Sequence, residues 1–311
     1  FSLIVFLLGC VYYFFFPKME FRDLKKQYQV LKAEMDRAIC EVLTNTAFIG
    51  GKAVADLETE LAEYVGVRHC ITCGNGTDAL TLALMAWGIG EGDAVFVPDF
   101  TFFSSAETVA YEGATPVFTD ILEDTFNMDP DSLERAVQAV LAEGKLTPKV
   151  VVTVDLFGLP ADYEKIRRIA DHYGMYILED AAQGFGGSVH GRRAGSFGDI
   201  STTSFFPAKP LGCYGDGGAV FTNDDGWADL IRSLRIHGKG TDKYDNVRIG
   251  MNSRLDTLQA AVLRVKLKAF REYERRDTDA IAARYAKGLG DCVKTPEIPE
   301  GYDSGWAQYS I

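Results

Sequence analysis

Positive charge is what this chain has least of: 32 lysines and arginines against 44 aspartates and glutamates leave a formal net charge of −12. No basic run offsets the repulsion of a phosphate backbone, which excludes a nucleic-acid partner. Metal-ligating residues are sparse as well. The four histidines are dispersed, and the six cysteines are scattered at positions 10, 40, 70, 73, 213 and 292. Cys70 and Cys73 form a C-x-x-C, but no second pair and no histidine pair completes a zinc site, so no metal is expected. They read as packing residues near a strand, in a cytoplasmic protein with reduced thiols. Neither a G-x-x-x-x-G-K-[ST] loop nor a G-x-G-x-x-G after a strand occurs, so the common nucleotide motifs are absent. Internal repeats and low-complexity stretches are missing too.

Long apolar runs are lacking, with one exception. Residues 1–16, FSLIVFLLGCVYYFFF, are apolar throughout. That is short of the roughly 20 residues that span a bilayer. There is no basic leader and no small-residue cleavage site, so it makes a poor signal peptide. An amphipathic, soluble-looking sequence starts at Met19. Residues 1–18 are therefore expected to be a prefix foreign to the native protein. A membrane anchor is the alternative.

What is present is a chain of globular composition, with 47% hydrophobic and 24% charged residues, long enough for one large domain and a smaller one. Helical spacing covers 21–43 and 54–65. Short apolar strands (70–73, 94–97, 116–119, 150–154, 175–178, 219–222) then alternate with helical stretches (79–85, 104–112, 130–142, 162–173, 224–236). That alternation is the pattern of a mainly parallel α/β sheet. A further helix, capped by Asn252 or Ser253, is expected to run to about Leu289. Residues 306–311 read as a new strand.

Four stretches carry chemistry. The first is Gly74-Asn75-Gly76-Thr77-Asp78, a glycine turn between a strand and a helix. Free N–H groups and the helix dipole suit such a turn to a phosphate, and Thr77 adds a hydroxyl. An ordinary helix start capped by Thr77 or Asp78 is the alternative. The second is Phe102, an aromatic just beyond a strand. The third is Glu179-Asp180, two carboxylates at the carboxyl end of a strand, where α/β sheets bind ligands. Either a cationic ligand such as a pyridinium or a loop arginine, Arg192 or Arg193, must partner them. The fourth is Ser204-Phe205-Phe206-Pro207-Ala208-Lys209-Pro210-Leu211-Gly212. Prolines keep Lys209 out of a helix, on a fixed loop. A desolvated lysine there can lose its proton and form a Schiff base, or it is simply a solvated loop residue. Together these supply a phosphate cradle, a ring stack, an anion for a pyridine nitrogen and a Schiff-base lysine, the set that pyridoxal phosphate (PLP) needs.

The stretches CGNGTDAL, VPDFTFFSSAETV, ILEDAAQGFG, TSFFPAKPLGCYGDGGAVFTND and GMNSRLDTLQAAVL resemble the fold-type I, PLP-dependent sugar aminotransferases of the DegT/StrS type. The resemblance covers nearly everything from residue 19 to 311. It implies a three-layer α/β sandwich with a mainly parallel sheet (19–265) and a small C-terminal domain (266–311) cut short here. It implies that Lys209 bonds the cofactor and shuttles the proton, that Asp180 holds the ring nitrogen protonated, and that Gln183 lies near the ring hydroxyl. Phe102 would stack on the ring. Gly76, Thr77 and Ser204 would bind the phosphate. Asn252 would reach the phosphate of a partner subunit in a homodimer. Arg254 is a candidate for a sugar carboxylate, with a salt bridge to Asp256 as the alternative. His237 lines the substrate site or plays a structural part in its loop.

The reaction implied moves an amino group from L-glutamate to a nucleotide-linked keto-sugar, leaving 2-oxoglutarate. SFFPAKPLGCYGDGG and NSRLDTLQAA are most similar to enzymes that aminate the 3-oxo group of UDP-2-acetamido-2-deoxy-3-oxo-glucuronic acid, in surface-polysaccharide biosynthesis. Another 3-keto or a 4-keto sugar is the nearest rival. Dehydratases of the same family carry histidine at the lysine position, which Lys209 argues against. A cofactor-binding regulator would need a DNA-binding helix pair that is not visible, and a membrane-tethered scaffold rests on residues 1–16 alone.

Overall fold

The structure, a computed structural model, describes residues 22–242 and 244–311. The apolar prefix and Met19 lie outside them. Two helices open the described chain, α1 (Leu24–Asn45) and α2 (Lys52–Val65). An alternating series follows: β1 (His69–Cys73), α3 (Gly76–Trp87), β2 (Asp93–Pro98), α4 (Ser104–Tyr111), β3 (Thr115–Thr119), α5 (Pro130–Glu143), β4 (Thr147–Val154), α6 (Tyr163–Tyr173) and β5 (Tyr176–Asp180). After a small hairpin, β6 (Ser188–Val189) and β7 (Arg192–Arg193), come β8 (Ile200–Ser204), β9 (Gly218–Thr222) and α7 (Asp225–Leu234). The chain ends with α8 (Thr257–Ala269), α9 (Arg275–Leu289) and β10 (Tyr302–Asp303).

Seven strands form one sheet in the order β1-β9-β8-β5-β4-β2-β3. β8, β5, β4, β2 and β3 are parallel neighbours, joined by helical crossovers from β2 to β5 and through the β6–β7 hairpin from β5 to β8. Only β9 runs against both its neighbours, because residues 205–217 return the chain directly from β8. Successive side chains of one strand serve opposite faces. Val95 and Val97 pack with α3 and α7 on one side, while Ala94 and Phe96 pack with α5 and α6 on the other. A third cluster joins α1, α2 and α8 to Cys70 of β1 and Phe221 of β9. The result is a helix–sheet–helix sandwich, as expected. Cys70 and Cys73 are buried within it, as packing residues.

Three expectations need correction. Helix α1 starts at Leu24 rather than 21, because the Asp23 carboxylate caps it by accepting the Lys26 N–H. The helix placed at Asn252 or Ser253 begins only at Thr257. Asn252 instead bridges to Ile236 in antiparallel fashion, and the Ser253 N–H goes to the Arg235 carbonyl, which holds this stretch extended. From there the helix does continue to Leu289, through a single π-turn at Phe270–Glu274. Residues 306–311 form no strand. Trp306 turns left-handed with φ 49°, and the last short strand is β10, paired with β6.

Candidate active site

The carboxyl ends of β1, β8 and β5 open on one edge of the sheet, and the candidate residues gather there. Beyond β1, Asn75 caps α3: its side chain accepts the Asp78 N–H at 2.8 Å. This corrects the expectation that Thr77 or Asp78 caps. It leaves the Gly76 and Thr77 N–H groups, at the first helical positions, without intrahelical acceptors. The Thr77 hydroxyl likewise has no partner among the described residues. The turn is braced from beneath. The Ser253 hydroxyl accepts from the Gly74 N–H at 2.9 Å and donates to Asp78 at 2.7 Å. Ser204, at the end of β8, closes the cradle. A Cβ on Gly76 would stand 2.7 Å from the Ser204 Cβ, and one on Gly218 would meet the Asn75 carbonyl oxygen at 2.4 Å. Only glycine lets these segments pack this closely.

Asp180 and Glu179 point to opposite faces, and their environments differ. Glu179 is fully buried in protein donors: Phe197 N–H at 2.6 Å, Ser201 Oγ at 2.7 Å, and the N–H groups of Gly195 and Gly198. Its role is structural. Asp180, 7% exposed, accepts among the described residues only the Ala182 N–H, at 3.0 Å. Arg192 and Arg193 are engaged elsewhere, with Ser196 and Tyr64, so the expected arginine alternative is not realised. Among the described residues no cation lies within salt-bridge distance of Asp180. Burial pushes its carboxyl above the ordinary range, opposed by the Ala182 N–H and the charge of Lys209. A buried carboxylate with one hydrogen bond is suited to a cationic N–H brought by a ligand.

Lys209 stands on the β8–β9 loop. Its N–H donates to the Phe206 carbonyl at 2.8 Å, which makes a tight turn between the two prolines. Desolvation pulls its amine below the ordinary lysine range, and Asp180 partly restores it. Cys213 is structural in this loop: the thiol is buried and donates to the Phe205 carbonyl at 3.0 Å.

The remaining candidates sit around this core. Phe102 follows β2, 66% exposed, and its ring makes no aromatic contact among the described residues, which leaves a face free for stacking. The neighbouring Phe100 packs instead with Phe126 and Phe157. Gln183 follows Asp180, and its Oε1 accepts the Phe157 N–H at 2.7 Å, so its amide nitrogen is the end left available. Asn252 is exposed at the bridge to Ile236. Arg254 makes no salt bridge to Asp256 or to any other described residue. His237 is exposed in a left-handed turn (φ 58°), its N–H bound to the Met251 carbonyl. No direct contact joins Arg254 or His237 to Lys209 or Asp180. Sequence reasoning missed the braces Asn75 and Ser253. An Asx residue ahead of a glycine-opened helix was a legible signal for the first. For the second, a partner 179 residues away, no local signal existed.

Comparison with known proteins gives a consistent result. The model of the DegT/DnrJ/EryC1/StrS aminotransferase family matches residues 29–311. The chain is 46% identical, over 94% of its length and 79% of the relative's, to a UDP-2-acetamido-2-deoxy-3-oxo-D-glucuronate aminotransferase of Pseudomonas aeruginosa. Among solved structures it is similar to a DegT DnrJ EryC1 StrS aminotransferase from Brucella abortus, with TM-score 0.92 and 53% identity over 94% of this chain and 78% of that one. It is also similar to NtdA from Bacillus subtilis with bound cofactor PMP, with TM-score 0.80 and 29% identity over 90% of this chain and 62% of that one.

Proposed function

The chain belongs to the DegT/DnrJ/EryC1/StrS aminotransferase family, and on that basis we propose that this PLP-dependent sugar aminotransferase carries nitrogen from L-glutamate to the 3-oxo carbon of a UDP-2-acetamido-2-deoxy-3-oxo-hexuronic acid. The substrate follows the relative that shares 46% of its residues. The observation that best supports the chemistry is the one at the sheet edge. A buried carboxylate without a cation, Asp180, faces the same opening as a lysine whose amine burial has weakened as a base.

The residues fit the cofactor. Gly76, Thr77 and Ser204 would hold its phosphate with N–H and hydroxyl donors at the start of α3. Phe102 would cover the ring, and the Gln183 amide would lie by its hydroxyl. When bound, PLP supplies an electron sink for the carbon that gains or loses nitrogen. Asp180 would keep the ring nitrogen protonated: a cationic N–H beside it would offset the burial that otherwise raises its own proton affinity. Lys209 Nζ, whose proton affinity desolvation lowers, would take a proton from the substrate carbon and return it. Arg254, with no ion pair among the described residues, would meet the uronate carboxylate with its two-pronged guanidinium. His237 would border the sugar. The enzyme works as a cytoplasmic homodimer in which Asn252 completes the partner's phosphate site. Among the described residues no helix is long and apolar enough to cross a membrane.

The test is borohydride reduction of the purified protein followed by peptide mapping. A pyridoxyl group on Lys209, absent in Lys209→Ala, is expected. Its appearance on another lysine, or nowhere, contradicts the reading. Incubation with glutamate and a panel of UDP- and dTDP-linked 3-keto and 4-keto sugars then fixes the acceptor, and turnover confined to a 4-keto sugar refutes the proposed one.

A further inference from the structure

The loop that carries Lys209 is held from outside the sheet. Arg22, two residues before α1, donates from Nη1 to the Ala208 carbonyl and from Nη2 to the Pro210 carbonyl, both at 2.9 Å. These two carbonyls flank Lys209. Few other contacts could do this. Pro207 and Pro210 remove two N–H donors from the loop, and its internal bonds, Lys209 N–H to Phe206 and Cys213 N–H to Phe205, leave the 208 and 210 carbonyls unmatched. A planar guanidinium presents two parallel donors at a fixed spacing, a geometry that an ammonium cannot copy. Arg22 is itself partly desolvated, which pulls its pKa down, and Glu274 supplies the opposing charge. Glu274 is held in turn by the Gln27 amide at 2.8 Å.

We propose that Arg22 is a positioning residue for the reaction: by bracketing Lys209 on both sides it sets the direction of the lysine side chain and keeps the loop closed to water. This rests on the assignment of Lys209 above. A loosened loop hydrates the lysine nitrogen, and hydration favours its protonated form. So Arg22→Gln should lower kcat at least tenfold while the KM values for glutamate and keto-sugar stay within threefold. The visible absorbance of the protein-bound cofactor, titrated against pH without substrate, should shift its midpoint upward by half a unit or more. Arg22→Lys, which keeps the charge and one donor, should fall between the two in both readouts. Asp23→Ala is the control, because it removes only the adjacent cap of α1, whose carboxylate accepts the Lys26 N–H at 2.8 Å. It should lower Tm and leave the midpoint in place.

A midpoint in Arg22→Gln within half a unit of the wild type overturns the proposal. So does an equal shift in Asp23→Ala, because the helix start and not the clamp would then be responsible. If Arg22→Gln gives no soluble protein, Arg22→Lys decides, and a midpoint and kcat matching the wild type overturn the proposal. If borohydride leaves no pyridoxyl group on wild-type Lys209, the underlying assignment has failed instead.

Discussion

Gly76 and Ser204 approach so closely that a Cβ on the glycine would lie 2.7 Å from the serine's Cβ. One opens the helix after β1 and the other ends β8, with the antiparallel β9 between those strands. Their proximity closes the phosphate cradle. Gly76→Ala forces the two segments apart at a cost of roughly 1–3 kcal/mol. The strain falls where the anion would sit. Affinity for PLP, titrated by absorbance into cofactor-stripped protein, should drop at least tenfold, with Tm of the stripped protein within a few degrees of wild type. Unchanged affinity would show that the cradle is not where the phosphate binds.

Lys266 offers a stability test independent of the reaction. It is 1% exposed, its ammonium has no hydrogen-bond partner among the described residues, and it lies 5.2 Å from the centre of the Tyr214 ring. Burial first, then the charge of Arg22, pull it down to about 8, against the opposing pull of Glu274 and Cys213. In the unfolded chain the amine titrates near roughly 10.4. Between those two values the unfolded state binds more protons, so stability rises with pH across that window. Below it the full penalty applies, on the order of 3 kcal/mol at about 1.4 kcal/mol per unit. Lys266→Met should therefore be more stable than wild type at pH 7 by roughly 1–3 kcal/mol in urea unfolding. The gap should shrink by pH 9.5. A gap that does not change with pH, or a less stable variant, contradicts this account.

Much of this was legible locally. Strand–glycine–helix at 73–79, Asp180 at a strand end and Lys209 between prolines each carry their chemistry in adjacent residues, and their order along the chain points to the cofactor. Helices α2 and α6 were readable as helical stretches at 54–65 and 162–173. What escaped was settled by distant partners. The 252–256 segment has the composition of a helix start, yet Ser253 is drawn into the 74–78 turn and Asn252 into a bridge with Ile236. The same is true of residues 306–311, where the Gln308 N–H goes to the Phe157 carbonyl rather than to a strand. The Arg22 contacts span 186 and 188 residues and left no trace in the sequence.

Gly158 marks where the C-terminal segment joins the sheet. Its φ is 117°, a region that side chains rarely adopt, and a Cβ would stand 2.4 Å from the Trp306 nitrogen and 2.9 Å from the Ala307 nitrogen. Both obstacles are backbone, which cannot rotate away. Its carbonyl also accepts the Gly305 N–H at 2.7 Å, so any shift breaks that tie. Gly158→Ala combines strained backbone with overpacking and should cost at least about 3 kcal/mol. Urea or thermal unfolding measures this directly. Gly144→Ala, at a positive φ of 68° but with no atom within 4 Å of its Cβ, should cost only about 1 kcal/mol. Equal losses at the two positions would mean that the contact with residues 306–307 is not tight.

The role given to Asn252 makes a prediction that no monomer can satisfy. Asn252 is exposed, and among the described residues its backbone bridges to Ile236 while its side chain makes no hydrogen bond, so the amide can serve another subunit. Asn252→Ala alone should weaken PLP binding about tenfold, the loss of a hydrogen bond to a charged group. Lys209→Ala alone should be inactive. Suppose each site takes Lys209 from one subunit and Asn252 from the other. A mixed dimer of the two variants then contains one site with both residues intact and one with neither. Co-expression with two affinity tags, and purification through both, isolates that mixed dimer. At limiting PLP it should recover close to half of the wild-type activity per dimer, well above either parent. Activity no higher than the Asn252→Ala parent would place Asn252 in its own subunit's site or in none.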